Sequence, residues 1–151
     1  MTKGIASMCA NIELFDEYTG KILAELYQNF PMPIHLDNRE VSGHRDINEY
    51  GEVLDETGEA SKNADIALYT VEWLIEAGYV HSKHGRTSQY TFATCVLSAK
   101  GLKVLKATPD SIKQKKYLGD MLVTAVKKGT ADSVKEIAKL IISQGIKLAM
   151  G

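Results

Sequence analysis

Within residues 71–105 a helix, a tight hairpin and a second helix follow one another. The apolar run through Val71, Trp73, Leu74 and Ile75 reaches Gly78, which supplies the left-handed backbone that commonly ends a helix. Tyr79 and Val80 then open a β-prone stretch. His84-Gly85-Arg86-Thr87-Ser88 is a turn cluster, and Gln89–Leu97 returns as a strand. Tyr79–Lys83 and Gln89–Leu97 are therefore expected to pair as an antiparallel hairpin. Strict alternation puts Tyr90, Phe92, Thr94 and Val96 on one face and Thr91, Ala93, Cys95 and Leu97 on the other. Ser98 is placed to cap a helix in which Leu102 and Leu105 recur at helical spacing.

The remaining segments fall around this unit. Residues 1–10 read as a loose arm. From Asn11 to Phe30 the residues Phe15, Tyr18, Ile22, Leu26 and Phe30 form a helical apolar stripe, stopped by Pro31 and Pro33. Ile34-His35-Leu36 suits a short strand. Residues 37–60 are acidic and glycine-rich, with Ile47, Tyr50, Val53 and Leu54 suggesting a short helix near 46–55. Ser61 should cap a helix over 61–77. Lys62, Asp65, Tyr69, Glu72 and Glu76 form its polar strip, and Trp73 is expected in the core. Thr108-Pro109 marks another helix start, with Ile112, Leu118, Leu122, Ala125 and Val126 on its apolar side. Gly129 ends it, and Thr130 caps a last helix carrying Val134, Ile137, Ala138, Ile141 and Leu148 in one stripe.

Charge divides the chain unevenly. Residues 1–60 carry 12 acidic and 4 basic side chains, 61–108 carry 3 and 6, and 109–151 carry 4 and 8, for a net charge of −1. That balance allows a nucleic-acid face at the back of the molecule without demanding one. No run approaches the roughly 18 apolar residues of a membrane span, and no secretory signal is expected. Cys9 and Cys95 are far apart and form no metal or redox motif, so reduced thiols in a cytoplasmic protein are expected.

The order Leu74 to Gly78-Tyr79-Val80, hairpin, then Leu97 to Gly101 to Leu105 resembles winged helix-turn-helix regulators of the MarR and PadR groups, over about residues 14–107. The resemblance implies a mainly α fold with a small β-sheet. It divides the chain into a winged-helix domain at 11–107 and a C-terminal helical extension, a helical hairpin, at 108–151. It also implies double-stranded DNA as partner, a role in transcription regulation, and a recognition helix entering the major groove. By position the DNA-contacting residues would be Lys62, Asn63 and Tyr69 on that helix, and Lys83, His84, Arg86, Thr87 and Ser88 on the wing. Such proteins commonly pair across a twofold axis, so a homodimer through the C-terminal helices is expected.

Asp65, Glu72 and Glu76 oppose that reading, because carboxylates repel phosphate. The alternative is a winged helix used for protein–protein contact without nucleic acid. His35, His44, His81 and His84 show no metal-ligand spacing, and Asp46–Thr57 lacks the ligands of a calcium loop. No nucleophile motif, phosphate loop or dinucleotide fingerprint is present, so neither an enzyme nor a cofactor is expected.

Overall fold

The computed structural model describes residues 3–108 and 116–150. Its elements are α1 (Lys3–Asn29), β1 (Ile34–Asp37), α2 (Asn38–Ser42), α3 (Lys62–Glu76), β2 (Val80–Arg86), β3 (Thr91–Leu97), α4 (Ala99–Leu105), α5 (Leu118–Lys128) and α6 (Ala131–Met150). The fold is thus mainly helical with one small antiparallel sheet, in the order β1-β3-β2.

α1 is the axis of the core. Tyr18, Ile22, Leu23 and Leu26 are buried on it, and α3, α5 and α6 all pack against it. The helix already includes Lys3–Ala10, where a loose arm was expected. It stops at Asn29, before Pro31, and Phe30 lies beyond its end, largely outside the core. The Ser61 hydroxyl accepts from the Ala64 N–H at 3.0 Å and starts α3. Gly78, at φ 87°, turns the chain out of α3, with the Tyr79 N–H donating to the Leu74 carbonyl at 2.9 Å. The Ser98 hydroxyl accepts from the Gly101 N–H at 3.0 Å and starts α4.

The hairpin departs from strict alternation. The register of β1 on β3 slips between Ile34↔Cys95 and Leu36↔Phe92, and Thr94 has φ 50°. This bulge lets Phe92 share the core with Cys95 and Leu97, although alternation assigns it to the opposite face. β2 runs on to Arg86, so the turn lies later than the 84–88 cluster.

The expected helix near 46–55 does not form. Two isolated bridges, Ile47↔Val53 and Leu54↔Ala60, hold the segment instead. Asn48 Oδ1 accepts from the N–H groups of Tyr50 and Glu52, both at 2.9 Å. Asp55 Oδ1 accepts from those of Thr57 and Glu59, at 2.8 and 3.1 Å. Such side-chain turns compete with the helical ladder, and here they displace it.

Of the expected start at Thr108-Pro109, Pro109 and Ile112 lie outside the described residues; α5 begins at Leu118, after Tyr117 in extended backbone. α5 and α6 meet at Gly129-Thr130 and close over α1. Val134, Ile137, Ala138 and Ile141 are buried by this packing, while Leu148 at the end of the stripe is exposed.

Candidate functional site

The outer face of α3 carries a short polar and aromatic strip. Lys62, Asp65, Tyr69 and Glu76 are exposed and Glu72 is half-buried, as helical spacing requires. Trp73 belongs to this face as well, being 41% exposed rather than enclosed. Its inner edge meets Phe15 edge-on at 5.1 Å and stacks on Tyr79 at 6.3 Å between ring centroids. Asn63 departs from the strip: it is half-buried, with its side chain near the Tyr18 hydroxyl. Burial, with the charge of Glu17, pushes the Tyr18 hydroxyl up to about 12, and Asn63 opposes that shift. Asn63 therefore lies on the side of α3 towards α1 and not on the outward strip.

On the hairpin, Lys83, His84, Arg86, Thr87 and Ser88 are all exposed, but they do different things. Thr87 and Ser88 build the turn: the Thr87 N–H donates to the Thr91 carbonyl at 3.0 Å, and the Ser88 hydroxyl accepts from the Tyr90 N–H at 3.1 Å. His84 Nδ1 pairs with the Thr94 hydroxyl across the strands. Arg86 Nε donates to the Ser88 carbonyl at 3.2 Å. Lys83 and Arg86 remain the cations of the tip.

Residues 43–60 stand beside this hairpin. The Gly51 carbonyl accepts from Gln89 Nε2 at 3.0 Å and from the Tyr90 hydroxyl. The Arg39 guanidinium lies 4.4 Å from the Tyr90 ring centre and grips Asp37 through Nε at 3.0 Å and Nη2 at 2.7 Å. Burial pushes the Asp37 carboxyl up, but the Arg39 contacts outweigh it and hold the group below its ordinary value. His44 Nε2 meets Glu56 at 2.8 Å while its Nδ1 pairs with the Ser61 hydroxyl. The segment is thereby fastened both to the start of α3 and to the turn of the hairpin. It brings Asp46, Glu49, Glu52, Asp55, Glu56 and Glu59 with it.

A cleft of about 240 Å³ remains where the three pieces meet. Asp65 and Tyr69 line it from α3, Glu52 from the 43–60 segment, and Arg86 and Tyr90 from the hairpin. Asn38, at the start of α2, completes its wall. Sequence reasoning found Tyr69 and Arg86 but missed Asn38, Glu52, Gln89 and Tyr90. Their signal is tertiary: nothing local in 37–60 says that Gly51 reaches the hairpin.

Among the described residues, no three His, Cys, Asp or Glu side chains converge as a metal site would require. No helix among them is long and apolar enough to cross a membrane. The chain matches no protein-family model, no curated protein and no solved structure.

Proposed function

We propose that the chain is a winged-helix module that contacts another protein through the outer strip of α3. The winged-helix reading is supported by the order α1-β1-α2-α3-β2-β3, by the strand order β1-β3-β2, and by a hairpin following directly on α3. The observation that carries the protein-binding reading is electrostatic. A duplex presents about one negative charge per 1.7 Å of axis and is held mainly through cations on its phosphates. Here Asp65 of the helix and Glu52 of the docked acidic segment share one cleft with Arg86, and Glu72 and Glu76 stand further along the helix. Among the described residues the cations of wing and helix are thus interspersed with carboxylates. Exposed Tyr69 and Trp73 instead offer the aromatic area typical of protein interfaces.

DNA binding is the second reading, favoured by the exposed Lys83 and Arg86 beside a solvent-facing helix. A low-salt anisotropy titration with a random duplex of about 20 base pairs separates the two. The expected result is no binding. Saturable binding with a steep salt slope would overturn the protein-binding reading. Lys83→Ala with Arg86→Ala should then lower that slope by roughly one to two units.

A protein-binding module needs no twofold pairing. Val134, Ile137, Ala138 and Ile141 of the stripe that suggested a homodimer are covered within one chain, where α6 packs on α1 and α5, and only Leu148 at its end stays exposed, which weakens that reason for a second copy. The buried free thiol of Cys95, pushed up by burial, suits a reducing, cytoplasmic setting.

A further inference from the structure

We propose that the cleft between α3, Glu52 and the hairpin receives an arginine side chain from a basic segment of the partner protein. This rests on the protein-binding reading above and adds the chemistry of what is bound. The argument comes from which hydrogen-bonding groups are already engaged. At the hairpin wall Gln89 Nε2 and the Tyr90 hydroxyl are turned inward, both donating to the Gly51 carbonyl, and Arg86 Nε donates to the Ser88 carbonyl, which leaves the Arg86 Nη groups as the donors of that wall. The carboxylates of the cleft are less engaged still. Among the described residues, neither Asp65 nor Glu52 has an ion-pair partner; the Glu52 carboxylate accepts only from Asn48 Nδ2, at 3.1 Å.

Asn38 supplies an independent indication. It is 3% exposed, and its Nδ2 donates to the Ala64 carbonyl at 3.2 Å. Its Oδ1 has no partner among the described residues, although buried amide oxygens are normally satisfied. The unengaged groups are therefore two carboxylates and the Asn38 oxygen against the Nη groups of the single Arg86, a balance on the acidic side. A guanidinium brings five donors in a plane and stacks on aromatic faces, whereas an ammonium brings three donors and a point charge. Tyr69, 61% exposed at the rim, offers such a face. One turn on, Trp73 offers apolar area to a neighbouring residue of the same segment, and Glu72 and Glu76 favour further positive charge.

The test is an amide NMR titration of the whole chain with a capped five-residue peptide of alternating leucine and arginine. A citrulline-for-arginine peptide and a glutamate-for-arginine peptide serve as controls. Saturable shifts centred on Gly51, Glu52, Asp65 and Tyr69 are expected with the arginine peptide. Affinity should be lower by about tenfold or more for the citrulline peptide, the loss expected when one charge-assisted contact is removed. Asp65→Asn combined with Glu52→Gln should lower arginine-peptide affinity by a similar factor; its own spectrum reports whether it is folded. Equal affinity for citrulline, shifts centred elsewhere, unchanged binding by the double variant, or no binding of any peptide would each overturn the cleft proposal. Those results leave the protein-binding reading standing, whereas duplex binding in the anisotropy titration removes it.

Discussion

Asp16 is 7% exposed on α1 and faces Lys135, Glu136 and Lys139 of α6 as well as Glu13 of its own helix. Burial raises its carboxyl above the ordinary 3.8; Lys139 and Lys135 oppose the shift, and Glu136 and Glu13 add to it. A raised folded value means that the charged form opposes folding. That penalty is present above the folded pKa, fades as pH falls through it, and is gone below the unfolded value of 3.8. Asp16→Asn should therefore increase the urea midpoint at neutral pH and leave it unchanged in acid below the unfolded value. An equal gain at both pH values would show that charge burial is not the cause. Asp37 has the opposite sign, since its lowered value supplies stability that is lost as pH falls. The comparison is best made as variant against wild type at each pH.

Between elements, close approach decides what single residues can be. Gly101 sits in α4 beneath the chain leaving α3, and a Cβ there would lie 2.2 Å from the Tyr79 carbonyl oxygen and 3.2 Å from its carbon. Helix propensity alone favours alanine at such a site by about 1 kcal/mol. Contact with backbone that cannot swing away reverses the sign, so Gly101→Ala should destabilise by about 1–3 kcal/mol in chemical denaturation. A gain in stability would show that the two elements can separate. The same contrast explains what the chain announces locally. Ser61, Gly78 and Ser98 act through bonds to near neighbours, so the bounds of α3 and α4 are legible in the sequence. So are the hairpin and the exposed Tyr69. The Thr94 bulge is not, because it answers to the register of β1. The cleft is not either. It needs Gly51 to reach Gln89 and Tyr90, 38 and 39 residues away, after Asn48 and Asp55 have turned their segment out of the helical path.

Across the whole molecule, one apolar cluster runs from Leu36 and Phe92 at the sheet through Ile22 and Leu26 of α1 to Leu122 and Ile141 of the last two helices. The final helices therefore supply part of the wall against which α1 folds, and α1 in turn positions α3. Ile141 is fully buried in that wall. Replacing it with alanine removes the burial of most of a side chain and leaves a cavity, a loss of about 2–5 kcal/mol. Ile141→Ala should thus lower the unfolding midpoint strongly even though it lies far from the α3 strip. Protein concentration identifies what the stripe packs against. If it is covered within one chain, midpoints of wild type and variant are independent of concentration. If a second copy completed the cover, the wild-type midpoint would rise with concentration, because association binds only the folded state. Melts across a hundredfold dilution, with light scattering at both ends, should return one mass and one midpoint. A rising midpoint would return the C-terminal helices to the role of a dimer interface.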